Sequence, residues 1–459
     1  MYEVHGQPDA DEEASASAEK QDSGESRDVF VEDEVHQIQY KTLSWQSVSL
    51  LMIAEIVSNG MLSLPSALAV VGIVPAVILI VFLGIFGLYT AKLLIDFKLN
   101  HSNVHTMGSD AGYIMFGPVA RELLAFGTVA FAICGSGSEL LSSQQALSTL
   151  SNQGICSMYL VIITGAVAFM ISLPRTLGRL AWMGLLSAGV IALAGFVAMI
   201  GAGANPVPGR SLTITASSNF YDAFLAVTNP VFAYAGMNFV MFFILISEMR
   251  RPQDAMKAAW CLQVFATIFY AIFSIVLYVY IGNTVQSPAL FSLPPTWSKA
   301  TFGIAIANFL LSSLLNLSGS SAGLYTHTAA KLVFVRIFRH SKHIYSHTLL
   351  GWTVWTLLCF AGVAIAAILA IAVPIFSYLI GIAAALFAAW YTYGLAGFFW
   401  LHDVYHLKGG VDGIKRRPIG TTLAVLTILA GAFICVAGAY VSIKVSVRVF
   451  ASDIHLSNQ

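Results

Sequence analysis

Long runs of apolar residues, separated by short polar segments, fill the chain from residue 47 onward. A membrane-spanning helix needs about 20 apolar residues. Proline or glycine stands at several boundaries of the runs, as at Gly72 and Pro374, where a chain readily leaves a helix. The pattern predicts an all-α polytopic membrane protein with 11 transmembrane helices. We number these predicted helices 1 to 11: 47–71, 73–96, 122–150, 155–173, 180–202, 221–247, 258–282, 301–323, 349–373, 376–401 and 420–446.

Composition supports a membrane protein and sets an N-terminal tail apart. Apolar residues occupy 57% of the 459 positions and charged residues 10%, whereas soluble domains average about 45–50% and about 25%. Residues 1–46 contain twelve acidic and three basic residues, and an acidic segment with few apolar residues cannot offset its ordering entropy. We predict a disordered acidic cytoplasmic tail at 1–40 and a transmembrane domain at 41–459. The tail lacks the apolar run of a signal peptide, so predicted helix 1 should direct insertion.

Lysine and arginine in the loops set the expected orientation, because they concentrate on the cytoplasmic side. With the tail in the cytoplasm, the opposite side receives only Arg210, Lys299, Lys444 and Arg448. The side of the tail receives the larger set: Lys98, Arg121, Arg175, Arg179, Arg250, Arg251, Lys257, Lys331, Arg336, Arg339, Lys342, Lys408, Lys415, Arg416 and Arg417. The bias predicts a cytoplasmic N-terminus and an extracytoplasmic C-terminus.

Two predicted helices are interrupted by residues that disfavour a helix. Predicted helix 1 contains Ser-Asn-Gly at 58–60 and then Pro65; predicted helix 6 contains Asn229-Pro230 and then Ala-Tyr-Ala-Gly at 233–236. Irregular backbone at membrane depth survives only inside the protein or beside a wet cavity. Paired breaks five helices apart are typical of transporters built from inverted repeats, here 47–202 and 221–401, with 420–446 as an extra helix. The alternative is that glycine and proline are simply common in membrane helices.

Such breaks would form a binding site at the middle of the bilayer. Freed N–H groups at the start of a half-helix attract a carboxylate. An unwound segment 58–62 would supply such N–H groups, and its residues are Ser58, Asn59, Gly60, Met61 and Leu62. Residues of the second break would shape a side-chain pocket: Phe232, Ala233, Tyr234 and Gly236. No Arg, Lys or Asp adjoins either break, so the expected ligand is a neutral L-amino acid.

Four segments resemble one family, in the order the family has them. Residues 58–65 (SNGMLSLP) resemble the GxGxLxLP element of the amino acid/auxin permease family, with Ser58 at the place of its first glycine. Residues 87–94 (GLYTAKLL) look like the end of its second helix, 109–117 (SDAGYIMFG) resemble its GDxGYxxFG loop, and 248–252 (EMRRP) are similar to its E-M-(K/R)-x-P motif. The chain is most similar to the fungal neutral amino acid permeases, which carry aliphatic and aromatic amino acids. The resemblance implies a LeuT-like 5+5 inverted repeat and cation-coupled import, and favours protons.

Ionisable residues inside membrane helices are costly and are functional candidates. Glu55 lies one turn before the first break and Glu139 lies within predicted helix 3, so both are candidates for proton coupling. The alternative is that each only bonds to a neighbouring helix. Helix 3 also carries Ser136, Ser138, Ser142 and Ser143, so this polar helix should be shielded inside the bundle.

Sodium coupling is the open alternative. In a LeuT-like fold, carbonyls of helix 1 and hydroxyls of helix 8 form a sodium site, and hard cations favour oxygen ligands. Leu317, Ser320 and Ser321 share a helix face, although serine is also common where membrane helices pack. The residues of this alternative are Ala54, Val57, Leu317, Ser320 and Ser321.

Other functional classes find little support. A channel would show charge rings or a repeated filter, and an enzyme would show an HExxH or GxSxG motif. A non-transporting amino acid sensor of the same fold stays open. The five cysteines form no CxxC pair, and we expect no metal or other cofactor, only a proton or sodium as coupling ion. His327, His340, His343 and His347 are interpreted as interfacial, and Glu248 as a surface or gate ion pair beside Arg250 and Arg251.

The predicted class of protein also sets the expected partners and membrane. The partners would be neutral L-amino acids, the lipid bilayer and trafficking or ubiquitination proteins at the tail, with no nucleic acid. The plasma membrane is favoured, with the vacuolar membrane as the alternative.

Overall fold

A computed structural model describes most of the chain beyond the tail. The described residues are 41, 43–101, 110–175, 181–235, 238–309, 321–338, 341, 343–344, 346–373 and 375–457, with the backbone alone at 59, 181–185, 235, 238–241, 244, 307, 309, 321–324, 376–377, 443 and 445–457. The tail predicted to be disordered, 1–40, lies outside these ranges. Within them every named element is helical, and the one β-bridge, between Leu43 and Met249, is isolated. The all-α prediction is confirmed.

The helices follow the apolar runs closely. Short helical turns lie in the connections at Gly112–Phe116, Pro252–Asp254, Ala289–Ser292 and Gly410–Lys415. The main helices are α1 (Trp45–Val71), α2 (Ile73–Asn100), α3 (Pro118–Leu150), α4 (Ser157–Ser172), α5 (Ala181–Ala204), α6 (Phe220–Ala235), α7 (Asn238–Ser247), α8 (Ala255–Ile281), α9 (Pro295–Phe309), α10 (Ser321–Phe338), α11 (Leu349–Ala372), α12 (Phe376–Ala383), a π-helical segment (Ala384–Gly394), α13 (Leu395–Leu407) and α14 (Pro418–Ser457).

Three predicted helices are each represented by more than one element. Predicted helix 6 corresponds to α6 and α7, predicted helix 8 to α9 and α10, and predicted helix 10 to α12, the π-helical segment and α13. The end predicted at 323 is wrong, because α10 continues to Phe338. Lys331 ended the apolar run in the sequence, but its side chain is buried and paired inside the protein, so the helix passes through it.

Seven helices in the described ranges are long and apolar enough to cross a membrane, and an eighth is counted if the two halves of α1 form one bent span. The angle between those halves, Trp45–Ser58 and Gly60–Val71, is 45°. The fold is therefore that of an integral membrane protein, and eleven crossings stay a prediction. In α14 only 17% of the most apolar 18-residue stretch is buried inside the protein, against 78% for the corresponding stretch of the span Tyr378–Leu407. The last helix is thus peripheral, as an addition to a ten-helix core would be.

The centre of the bundle is α1, which packs against α5, α6 and α8. Its C-terminal end is fixed by Gly72, which has a φ of +94° and would place a Cβ 2.7 Å from the Ile214 carbonyl oxygen. Backbone hydrogen bonds there join Ile73 N to Thr213 O and Ala216 N to Val71 O, at 3.1 and 3.2 Å. A side chain at this left-handed position would be strained, which explains the glycine between α1 and α2.

The polar helix α3 packs against α9, α10 and α11. Ser136, Ser138, Ser142, Ser143 and Glu139 are at most 1% exposed, so the polar stretch of this helix lies inside the bundle as predicted. Large apolar side chains, including Ile85, Phe126 and Val436, are exposed on the outside. An apolar exterior around a polar interior is the arrangement that a bilayer requires, because lipid offers no hydrogen bonds.

Candidate substrate and coupling site

The two segments predicted to bind substrate touch each other directly. A Cβ on Gly60 of α1 would lie 2.7 Å from the Cα of Ala233 on α6, a distance that real Cβ atoms do not reach. The Ser63 hydroxyl donates to the Gly60 carbonyl at 3.2 Å. Glycine at position 60 therefore permits the close crossing of α1 and α6.

A tyrosine from α8 links these two helices. The Tyr270 hydroxyl donates to the Ile56 carbonyl at 2.6 Å and lies 3.0 Å from the Ala233 carbonyl. The rings of Tyr270 and Tyr234 meet edge-on at 5.2 Å, and the Tyr234 hydroxyl donates to Thr267 Oγ1 at 3.1 Å. A polar contact thus sits at the crossing point, within a region of buried aromatic rings.

The unwound turn predicted at 58–62 is not present in this conformation. The backbone of α1 is helical from Trp45 to Val71 and bends instead of breaking. Backbone N–H groups inside a helix are already bonded, so they cannot receive a carboxylate here. The absence of a side chain at Gly60 lets α1 stay helical while it packs closely on Ala233.

The predicted substrate residues are brought together but not opened to solvent. Ser58, Met61, Leu62, Phe232, Ala233 and Tyr234 are all buried. The side chain of Asn59, and the whole of Gly236, lie outside the described part of the chain. Helices α6 and α7 lie on either side of positions 236 and 237. The structure shows a closed arrangement of the two segments.

A buried polar cluster lies at the bend of α1. The Ser58 hydroxyl donates to Asn308 Oδ1 at 2.6 Å and its oxygen lies 3.3 Å from Glu139 Oε2. Asn308 of α9 also donates through Nδ2 to Ser187 Oγ at 2.6 Å and to the Ala54 carbonyl at 3.3 Å. The cluster joins α1, α3, α5 and α9. A hydroxyl donates only one hydrogen, and Ser58 gives it to Asn308. A good hydrogen bond between Ser58 and Glu139 therefore requires a proton on Glu139, which donates to the Ser58 oxygen.

Glu55 lies beside this cluster, three residues before Ser58 and therefore on the same helix face. It is 4% exposed and interacts with Glu139 and with the hydroxyl of Tyr325. Neither carboxylate oxygen of Glu55 makes a well-formed hydrogen bond to the part of the chain that the structure describes. A buried charge without such bonds is costly, so the surroundings of Glu55 suit a neutral carboxyl group.

The sodium alternative is met only in part by the described residues. The Ala54 carbonyl already accepts a hydrogen bond from Asn308, and Val57 is buried. Leu317 and Ser320 lie outside the described ranges, and Ser321 begins α10 with its side chain outside them. No ligand set of this alternative is assembled from described side chains.

A comparison with known proteins identifies the family. Residues 41–444 match the sequence model described as transmembrane amino acid transporter protein. The chain belongs to this family. A transmembrane transporter of Gibberella moniliformis is 30% identical over 435 residues, covering 93% of this chain and 88% of the relative. The N amino acid transport system protein of Neurospora crassa is 30% identical over 365 residues, covering 77% and 75%. Membership implies transport of amino acids across a membrane and not enzymatic chemistry.

Solved structures show the same fold at low sequence identity. A Na⁺-coupled sialic acid symporter superposes with a TM-score of 0.55 at 11% identity, over 90% of this transporter and 93% of that chain. A manganese transporter of Eremococcus coleocola superposes with a TM-score of 0.54 at 13% identity, over 89% and 92%. These likenesses establish the fold of the transporter, and at such identities they carry nothing about its substrate.

The ion pair expected at Glu248 is present, but it is buried and does not lie at the surface. Glu248 of the transporter is buried and pairs with Lys331 of α10, not with Arg250 or Arg251. The extension of α10 beyond 323 carries Lys331 to the end of α7, which made this partner invisible in the sequence. The backbone joins the same place, since Leu43 N donates to the Glu248 carbonyl at 3.0 Å. The segment before α1, the end of α7 and α10 are thereby connected.

His327 lies in the packed interior of the protein. It is 2% exposed on α10, and its ring packs edge-on against Trp355 at 5.1 Å. His343 is half-buried and lies 2.7 Å from Thr348 Oγ1, and His347 is exposed beside Trp352. His340 lies outside the described ranges. The extension of α10 to Phe338 places His327 within this helix.

Three residues of the site, Tyr270, Tyr325 and Asn308, were not predicted from the sequence. Tyr270 and Tyr325 stood in apolar runs where nothing separates a bonding hydroxyl from an ordinary aromatic side chain. Asn308 did carry a signal, because an amide within predicted helix 8 must find a partner in a membrane. That signal gives no indication of which helices the amide would join.

Breaking the Glu248–Lys331 pair should destabilise the transporter strongly. Lys331→Met leaves a carboxylate buried without its cation, which costs about 3–5 kcal/mol. The measurement is thermal unfolding of purified protein in detergent. The double variant Glu248→Gln/Lys331→Met should recover most of the loss. Lys257→Met is the control, because Lys257 is exposed and its pair with the partly exposed Asp254 should contribute less than about 1 kcal/mol. Equal losses for the two lysines would contradict the pairing.

Proposed function

We propose that this transporter is a secondary active importer of neutral aliphatic and aromatic amino acids, driven by proton symport. The observation that carries the proposal is the position of two buried carboxyl groups at the bend of α1: Glu139 lies 3.3 Å from the Ser58 hydroxyl, and Glu55 lies one helical turn before Ser58. The bend adjoins the Gly60–Ala233 contact. A change of protonation at these carboxyl groups can therefore act on the crossing of α1 and α6.

The substrate would bind where α1 and α6 now touch. Opening the contact between Gly60 and Ala233 would leave the Ile56 and Ala233 carbonyls, which share the Tyr270 hydroxyl, available to an α-ammonium group. Unwinding at Gly60 would then supply N–H groups for the carboxylate. Alternating access in this proposal is the separation and closure of the two helices around the substrate.

The walls of this site favour an uncharged side chain. Met61, Leu62, Phe232 and Tyr234 are buried and carry no charge. An acidic side chain placed among them would lose its hydration without gaining a counter-charge. A cationic side chain would also lack a counter-charge, because Glu55 and Glu139 carry protons in the closed state of this proposal. The relative from Neurospora crassa is named for amino acid transport, which supports amino acids as the class of cargo.

Proton binding would be coupled to closure through Ser58. A proton on Glu139 completes a second hydrogen bond to the Ser58 oxygen, and a proton on Glu55 removes an unpaired buried charge. Both changes stabilise the packed arrangement of α1. Release of the protons on the cytoplasmic side would destabilise it and let the substrate leave.

Architecture and location complete the proposal. The first repeat would be 47–202, the second 221–401, and α14 would be the extra helix. The N-terminus would be cytoplasmic and the C-terminus extracytoplasmic, in the plasma membrane, with trafficking or ubiquitination proteins binding the tail. A sodium-coupled transporter and a non-transporting sensor are the alternatives that the experiment below distinguishes.

The test is uptake into liposomes that contain the purified full-length protein. With acid outside, neutral buffer inside and no sodium, we expect accumulation of labelled alanine, leucine or phenylalanine that a protonophore abolishes. Arginine and glutamate should not accumulate. Accumulation that requires sodium and ignores the pH gradient would replace the proton version with the sodium one. Binding without uptake or counterflow would identify a sensor.

A further inference from the structure

Three potential metal ligands meet where α2 ends beside α13. His101 directly follows α2, and His402 and Asp403 lie on α13. His101 Nε2 is 3.0 Å from Asp403 Oδ1, and His402 Nδ1 is 3.7 Å from the same oxygen. The three ligand atoms all lie within 4.8 Å of one another. They are far in the chain from Glu55 and Ser58 and are not used by the proposed transport mechanism.

The separations suit a tetrahedral ion. Zinc binds histidine nitrogen and carboxylate oxygen at about 2.0–2.2 Å, so neighbouring tetrahedral ligands stand about 3.3 Å apart. The two distances to Asp403 Oδ1, 3.0 and 3.7 Å, bracket that value, and the third separation, between the two imidazole nitrogens, is within 4.8 Å. Small rotations of the two rings would therefore place an ion between the three atoms without moving the helices.

The cluster has one unsatisfied member. His402 Nδ1 is buried and has no hydrogen-bond partner in the described part of the chain, because 3.7 Å is too long for a hydrogen bond. Unpaired buried polar atoms are rare and call for an explanation. A metal ion bound by this nitrogen would satisfy it.

The surroundings hold the ligands in place as metal sites require. Asn100 Nδ2 donates to Asp403 Oδ2 at 2.7 Å, which orients the carboxylate and leaves its other oxygen facing the two rings. Phe97 stacks on Phe399 at a centroid distance of 4.4 Å and packs against the ring of His101 at 4.5 Å. These contacts fix the register of α2 against α13, so the ligands from the two helices stay together.

We propose that His101, His402 and Asp403 bind a divalent transition metal ion, with Zn²⁺ as the best fit. Two imidazoles and one carboxylate form a ligand set of intermediate softness, which suits zinc better than magnesium or calcium. A water molecule takes the fourth position. The ion would clamp α2 to α13, one helix from each proposed repeat.

The test uses the purified full-length protein without a polyhistidine tag. Zn²⁺ titration followed by calorimetry should show about one ion per chain. Co²⁺ in place of zinc should give the intense visible absorption of a tetrahedral site, which added Zn²⁺ removes. Asn100→Ala should weaken binding about 10-fold, because it removes only the orientation of Asp403.

Single-ligand variants decide whether these residues form the site. His402→Ala and Asp403→Asn should each abolish the Co²⁺ band, and His347→Ala, an exposed histidine outside the cluster, should leave it unchanged. Two ligand variants are made so that misfolding of one of them does not decide the result. Each is compared with the unmodified protein after both are shown to have the same thermal stability and monodispersity. A band that persists in both variants, or its absence from the unmodified protein, would overturn the proposal. None of these readouts depends on transport.

Discussion

Replacement of Glu55 by glutamine is expected to abolish uphill accumulation while leaving exchange of substrate across the membrane. Glutamine has the shape of a protonated carboxyl group but cannot release a proton. Its amide is also uncharged, so the substitution should not destabilise the buried site, where Glu55 makes no well-formed hydrogen bond within the described part of the chain. A transporter that stays in the protonated form can still return with substrate bound, so counterflow continues. The internal-to-external concentration ratio should fall to one.

The measurement compares gradient-driven uptake and counterflow in the same liposomes. Glu122→Gln is the control, because this carboxylate is exposed on α3 and pairs with Arg336, so its loss should change neither assay. Glu139→Gln is the companion, and it should resemble Glu55→Gln if the pair acts as one proton site. Unchanged pH-driven accumulation in Glu55→Gln would remove Glu55 from the mechanism. Loss in Glu139→Gln alone would assign coupling to Glu139.

The arrangement of helices was largely predictable from the apolar runs. Ends such as Gly72 and the start of α11 near 349 agree with the structure within a residue or two, because a backbone constraint or a change in hydropathy marks them. The end of α10 was not predictable in this way. A buried lysine appears in the sequence as a solvent-facing one, and only its partner on another helix shows otherwise.

The site was predicted by position more than by conformation. The sequence indicated that the segments around Gly60 and Ala233 belong together, and the structure places them in contact. It could not show whether glycine at 60 serves an open turn or a close crossing, since both require the absence of a side chain. The partners of Ser58 come from helices up to 250 residues away in sequence, and no local pattern records such contacts.

Gly60→Ala distinguishes these two roles of the glycine. A Cβ at this position would lie 2.7 Å from the Ala233 backbone, so α1 and α6 must move apart. Overpacking of this kind costs about 1–3 kcal/mol. We expect a lower unfolding temperature and uptake reduced at least about tenfold, the factor that corresponds to about 1.4 kcal/mol.

Gly189→Ala is a matched control on α5. A Cβ there would meet nothing within 4 Å, and alanine is the better helix former by about 1 kcal/mol, so stability and uptake should be unchanged or slightly raised. If Gly60→Ala behaves like Gly189→Ala in unfolding but loses substrate protection against heat, the glycine acts in an open binding turn. If stability and uptake fall together, the crossing of α1 and α6 is the element that the transporter must open and close. Normal stability with normal uptake would mean that the contact is absent in the membrane, and with it the closed state on which the transport mechanism depends.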